Sequence, residues 1–219
     1  MDMRKPMIAG NWKMYMDVNE ARDLVEGIKN SVSEYNNVDK VVIPPYVDIL
    51  SVKSLLNGTD IALGAQNCFW EDEGAYTGEI SGRMIKSAGC AYVVIGHSER
   101  RKYFGETDET VNKKIKAAID SGLLPIVCVG ETLEEREAEK TLEVVRTQVT
   151  GALEGFDAGY IKDIIIAYEP VWAIGTGKTA TPDQAQEVHA VIRGLLKELY
   201  NEELSGAMRI LYGGSVKPE

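Results

Sequence analysis

The chain has 219 residues, 44% of them apolar and 26% charged, which is enough for one substantial core or two small domains. Acids outnumber bases 34 to 24, a formal charge of -10, and that balance speaks against nucleic acid, which needs a basic footprint. No apolar run nears the roughly 20 residues of a membrane span, and Met1-Asp2-Met3-Arg4-Lys5-Pro6 lacks the apolar core of a signal peptide. Cys68, Cys90 and Cys128 are odd in number and widely spaced, a pattern that points to a reducing cytoplasm rather than to disulfides or a zinc site.

Met7-Ile8-Ala9-Gly10 reads as a first apolar strand running into Asn11-Trp12-Lys13. A helix over about residues 19–33 follows, with Leu24, Val25 and Ile28 on its buried face. Lys40-Val41-Val42-Ile43 is a second strand stopped by Pro44-Pro45, with a helix over about 47–56. Ile61 to Gln66 is a third strand. A long loop carrying Phe69, Trp70, Tyr76 and Thr77 precedes a helix over about 81–88. Tyr92 to Gly96 is a fourth strand that opens on His97-Ser98-Glu99-Arg100-Arg101, the first turn of a short helix, and about 111–120 is helical. Leu124 to Val129 is a fifth strand, closing on Gly130-Glu131 ahead of a single helix over about 133–153, and the charges from Glu131 to Glu143 read as its solvated face. Ile164 to Tyr168 is a sixth strand without polar alternation, and Glu169 ends it. Pro170 stiffens the entry of the next loop, Gly175 and Gly177 loosen its middle, and Thr181-Pro182 with Gln184 caps a helix over about 184–200. Arg209 to Tyr212 is a seventh strand, ending in Gly213-Gly214-Ser215.

A strand-then-helix unit thus recurs along the chain with no linker, and apolar strands alternating with amphipathic helices mean a parallel α/β sheet covered by helices. One domain over residues 1–219 is expected, wound as a barrel or as an open sheet. The first strand lacks a GxGxxG turn, so a dinucleotide fold is disfavoured. Gly175-Thr176-Gly177-Lys178-Thr179 is no P-loop, because Trp172 stands where that motif needs glycine. In a parallel barrel the strand ends share one face, which gathers Asn11, Lys13, His97, Glu169 and Ser215.

These residue types suit a proton transfer. Glu169 lies at the root of a hinged loop, as a general base under a lid does. His97, at a helix start that disfavours a second positive charge, can donate from a neutral ring to a carbonyl oxygen. Lys13 brings a cation to an anion or a developing oxyanion. Gly213-Gly214-Ser215 offers free backbone N–H groups to a phosphate. His189, beside Val188, Val191, Ile192 and Leu195, reads as structural, and Cys128 as packing.

Six ordered runs carry a resemblance along the whole chain: Ala9 to Met14, Gly78 to Ser81, Ile95 to Arg101, Cys128 to Glu131, Ala167 to Gly177 and Tyr212 to Val216. Together they closely resemble the triosephosphate isomerase family. The resemblance implies a TIM (β/α) barrel of parallel strands with outer helices, seven of the eight βα units being encoded. It implies interconversion of dihydroxyacetone phosphate and glyceraldehyde 3-phosphate through an enediolate, a step of glycolysis and gluconeogenesis, in the cytoplasm and with neither cofactor nor metal. It also implies roles for single residues. Glu169 takes the proton, His97 polarises the carbonyl, and Asn11 and Lys13 stabilise the enediolate and bind the substrate. Glu99 holds Lys13. Gly175 and Ser215 hold the phosphate, Pro170, Trp172 and Gly177 belong to the lid, and Tyr212 latches it. The loop around Thr77 docks into a twofold mate, giving a homodimer or other homo-oligomer, with no nucleic acid or membrane partner.

In one respect the sequence departs from the family pattern. The family's barrel continues past Ser215 with a helix, a strand and a second helix, and with a glycine pair that completes the phosphate site. On this sequence alone the expectation is an incompletely closed barrel, and the rival reading is a fragment or assembly partner with weak activity unless complemented.

Overall fold

The computed structural model describes residues 4–174 and 179–214. Gly175, Gly177 and Ser215 therefore lie outside the described residues. The chain divides into two compact units, Met1–Ile95 with Lys116–Pro125, and Gly96–Ile115 with Ile126–Glu219.

In the first unit β1 (Met7–Asn11), β2 (Asp39–Ile43), β3 (Ile61–Ala65) and β4 (Tyr92–Ile95) are parallel neighbours in sequence order. Val41, Val42, Ile43, Leu63, Ala65, Val93, Val94 and Ile95 are buried, as strands covered on both faces require. At Gly64 a Cβ would press on Ile43 and Tyr92 at 3.0 and 3.3 Å, so this glycine lets the strands close up. α1 (Val18–Val32) starts on a capping box between Asp17 and Glu20. It buries Ala21 and Val25, whereas Leu24 and Ile28 are only half-buried. α2 (Ile49–Leu55) and α3 (Gly82–Ser87) follow β2 and β3. Lys40 is 8% exposed, and its ammonium is satisfied by the carbonyls of Val32 and Tyr35 at 3.1 and 2.9 Å and by Asp60 at 2.7 Å. That clamp ties the end of α1 to β2.

The second unit holds α4 (Ser98–Phe104) and most of α5 (Asp108–Asp120) and β5 (Leu124–Val129). β6 (Ile165–Tyr168) and β7 (Arg209–Tyr212) continue the parallel order after β5. The helix expected as one piece over 133–153 is two, α6 (Leu133–Glu137) and α7 (Thr141–Leu153). Glu139 turns left-handed between them at φ 58°, and neither Gly nor Pro marks the break. α8 (Pro182–Leu199) starts at the expected Thr181 cap, with Gln184 completing the box. α9 (Glu202–Ala207), capped by Asn201, is an element the periodicity does not announce. The core of this unit is Ile126 to Val129, Ile164 to Tyr168, Val188, Ile192, Leu195 and Leu196.

Candidate active site

Two residues of the second unit, each just past a strand, bring an acid and an imidazole together. After β4, Gly96 turns left-handed at φ 73° and its carbonyl accepts from Arg101 Nε at 2.9 Å. His97 then caps α4, its Nδ1 accepting from the Glu99 N–H at 3.2 Å. An imidazole nitrogen that accepts a hydrogen bond carries no proton, so the ring proton of the neutral form sits on Nε2. Nε2 lies 3.1 Å from Glu169 Oε1. The other carboxylate oxygen, Oε2, accepts from the Ser98 N–H at 3.2 Å. Two of the orphan donors at the start of α4 are thereby spent on the two side chains of interest. His97 is 6% exposed and Glu169 7%.

The backbone that carries Glu169 is held from both sides. Its N–H donates to Val129 O at 2.7 Å, and Gly213 N–H donates to Tyr168 O at 2.7 Å. A Cβ on Gly130 would lie 1.8 Å from Glu169 O, and one on Gly213 would lie 3.0 Å from Glu169 Cγ. Gln148 reads both amide groups of Gly130, through Oε1 at 2.7 Å and Nε2 at 3.2 Å. Cys128 lies behind Glu169, and burial followed by the nearby Glu169 charge pushes its thiol well up. It stays a thiol and no nucleophile, as the sequence reading has it.

Glu131 corrects the sequence reading. It is no part of a solvated face: it is fully buried, and its Oε1 collects four donors. These are Trp172 Nε1 at 2.9 Å, Arg136 Nη1 at 3.0 Å, Tyr168 Oη at 3.2 Å and Thr141 Oγ1 at 3.3 Å. Its backbone carbonyl takes the Val171 N–H at 3.1 Å. Burial, and then the Glu131 charge, push the Tyr168 phenol up, which keeps it a donor. Arg136 also stacks over the Trp172 ring at 4.6 Å. The short 3-10 turn Val171–Ala173 after Pro170 is therefore moored to one buried acid at its first two residues. The signal for Glu131 is the one that singles out Glu169, an acid just past a buried strand, together with an indole N–H that needs an acceptor. Tyr212 packs edge-on to Tyr168 at 6.4 Å, and its buried hydroxyl has no protein partner among the described residues.

In the first unit Asn11 ends β1. Lys13 holds a left-handed φ of 55°, a conformation a side chain disfavours. Its N–H bonds Asn11 Oδ1 at 2.9 Å and its carbonyl accepts from Gln66 Nε2 at 2.7 Å. Gln66 also bonds Ile43 O at 3.1 Å, so this residue, which the sequence reading passes over as the end of a strand, fixes the strained turn. Strain held by its surroundings is a mark of functional positions. Thr77 is exposed in the long loop, which folds on an aromatic stack of Phe69 with Trp70 and Tyr76 at 4.2 and 4.7 Å.

Among the described residues no helix is long and apolar enough to cross a membrane. The sequence model of the family described as Triosephosphate isomerase matches residues 6–219. A protein of that name from Moorella thermoacetica is 58% identical over 99% of this chain and 86% of its own length. One from Geobacter metallireducens is 56% identical over the same shares, and one from Thermoanaerobacter pseudethanolicus is 56% identical over 99% of this chain and 87% of its own. The fold class is the TIM (β/α) barrel, its seven parallel strands in sequence order. With the family matched over almost its whole length and an acid–imidazole pair set at two strand ends, the chain belongs to the triosephosphate isomerase family, isomerases that act on a triose phosphate.

Proposed function

We propose that Glu169 is the base that removes the carbon-bound proton between the two oxygens of a triose phosphate, and that His97 donates from Nε2–H to the carbonyl oxygen. The observation that carries this reading is the hydrogen bond from the Glu99 N–H to His97 Nδ1, which leaves Nε2 as the donor, 3.1 Å from the Glu169 carboxylate. As the proton leaves, charge builds on the substrate oxygens, where a hydrogen bond from His97 gains strength. The hydroxyl proton passes to the former carbonyl oxygen, and returning the carbon-bound proton to the neighbouring carbon completes the isomerisation of dihydroxyacetone phosphate to glyceraldehyde 3-phosphate. The reaction is redox-neutral within the substrate.

Asn11 and Lys13 bind the substrate and stabilise the enediolate in this reading, and Glu99 holds Lys13. The left-handed turn fixed by Asn11 and Gln66 supports that role, since it spends backbone strain on aiming one cation. Gly175 and Ser215 supply phosphate donors. Pro170, Trp172 and Gly177 form the covering loop, and Tyr212, whose hydroxyl has no partner among the described residues, latches it.

The test is to run the isomerisation in deuterated water. Transfer through Glu169 exchanges the proton with solvent, so product carries carbon-bound deuterium in the wild type. Product without solvent deuterium would contradict transfer through a base that exchanges its proton with solvent.

A homodimer or other homo-oligomer in the cytoplasm completes the proposal. Its support is the exposed apolar set of the first unit, with Met14 94%, Val47 76%, Leu50 70% and Tyr15 68% exposed, and three buried free cysteines. The loop around Thr77 is part of the docking surface. Light scattering that gives a clean monomer at enzyme concentrations in the assay range would contradict the docking.

A further inference from the structure

The turn between α2 and β3 holds the chain's single Asn-Gly pair, Asn57-Gly58. Leu56 closes α2, its N–H donating to Val52 O at 3.1 Å, and its own carbonyl accepts from Thr59 N–H at 3.0 Å. Asn57 and Gly58 are thus the central pair of a four-residue hydrogen-bonded turn. Gly58 stands at φ 81°, which is why glycine occupies that position. Both residues are exposed. Among the described residues neither the Asn57 amide nor the Gly58 N–H has a hydrogen-bond partner, and a Cβ on Gly58 would meet nothing within 4 Å. An unengaged backbone nitrogen follows an unengaged, exposed side-chain amide.

We propose that Asn57 is a site of spontaneous covalent modification. The Gly58 nitrogen attacks Asn57 Cγ. A ring C–N bond forms, the Cγ–Nδ2 bond breaks, and the proton shed by the Gly58 nitrogen leaves with the amide group as ammonia. Water then opens the resulting cyclic imide at either carbonyl. One opening gives an aspartate at position 57, and the other gives an isoaspartate whose main chain runs through the side-chain carbon. Water is the only co-reactant and nothing is oxidised or reduced.

The two products differ in consequence. The aspartate keeps the backbone and adds a charge beside Asp60, which already pairs with Lys40 at 2.7 Å. The isoaspartate adds a main-chain carbon inside the ring that the Leu56–Thr59 hydrogen bond closes. Thr59 is tied twice more, its hydroxyl donating to Leu56 O at 2.8 Å and accepting from the Ile61 N–H at 3.3 Å. Lengthening the turn breaks this set and loosens the start of β3, so the isoaspartyl fraction melts lower while turnover per folded chain is unchanged.

The test is to age the full chain at mildly alkaline pH, folded and denatured in parallel, beside Asn57→Gln. Tryptic peptides are mapped and isoaspartate is labelled with an isoaspartyl methyltransferase. The peptide from Ser54 to Arg83 also contains the buried Asn67, an internal control. The expected result is acid gain and label at position 57 in the folded wild type, none in Asn57→Gln, and a lower melting temperature only in the labelled fraction. Label at position 57 in the denatured chain but not in the folded one would overturn the proposal, as would equal label in Asn57→Gln.

Discussion

A Cβ on Gly130 would lie 1.8 Å from the carbonyl oxygen of Glu169, so the strand end that carries the acid closes on the one residue type that leaves it room. No rotamer relieves such a contact, because both groups are backbone or rigidly attached to it. Gly130→Ala therefore has to move β5 away from β6 or displace Glu169. The expected cost is above about 4 kcal/mol, the range reserved for gross steric conflicts in a core. Denaturant titration measures it, and a loss under about 1 kcal/mol would show that the approach is not maintained.

Trp172→Phe keeps the ring and removes the indole N–H that donates to Glu131 at 2.9 Å. One donor to a buried charged acceptor is worth about 1.5–3 kcal/mol. Because Val171 and Trp172 are the moorings of the turn behind Pro170, the substitution should alter kcat and KM together as well as lowering stability. Unchanged kinetics in Trp172→Phe would remove the indole bond to Glu131 from any part in positioning that segment.

A buried triad supports α4 from below. Glu106 Oε1 takes Arg100 Nε and Lys114 Nζ, each at 2.5 Å, and Lys114 is 3% exposed. Burial alone would raise the Glu106 carboxyl, but Lys114 and then Arg100 bring it below the usual range. A depressed carboxyl contributes stability that is present above the ordinary Glu pKa and lost as pH falls through the folded value. Lys114→Met leaves Glu106 only Arg100 among the described residues and should cost about 3–5 kcal/mol. The acid limb of a stability–pH curve should flatten in that variant, and an unaltered limb would contradict the triad's contribution.

His189 lies edge-on to Tyr168 at 6.0 Å, with its Nε2 buried and without a partner among the described residues. Burial, then the charge of Arg193, lowers its pKa from 6.5, while the bond to the Leu211 backbone acts the other way. The unfolded chain then takes up the proton at a higher pH than the folded one. Stability is full above pH 6.5 and falls as pH drops towards the folded value. Melting temperatures of wild type and His189→Gln across that window should diverge in slope, and parallel curves would place the acid sensitivity elsewhere.

Much of this arrangement is legible in the sequence. Ile164 to Tyr168 and Val41 to Ile43 announce buried parallel strands because β-branched runs leave no polar face, and Glu169 and His97 are conspicuous as polar groups at strand ends. Glu131 obeys the same rule, but the run of charges after it invites the reading of a solvated helix, and only folding shows four donors meeting on it. Gln66 is illegible for a different reason: its task is to bond main-chain carbonyls of Lys13 and Ile43, and no side-chain pattern encodes a main-chain partner. The break at Glu139 is hidden because an ordinary residue takes the left-handed turn that a glycine would have advertised.

The central claim is that the Glu169 carboxylate, aimed by His97 and the Ser98 N–H, moves the proton. Glu169→Gln preserves size and keeps an oxygen for one of those donors while removing the base. Steady-state turnover of a triose phosphate, with near-ultraviolet circular dichroism to confirm the native fold, is the most direct measurement. Loss of roughly two to four decades in kcat with little change in KM is the expected result. Turnover within about a factor of ten of wild type in the folded variant would contradict the account.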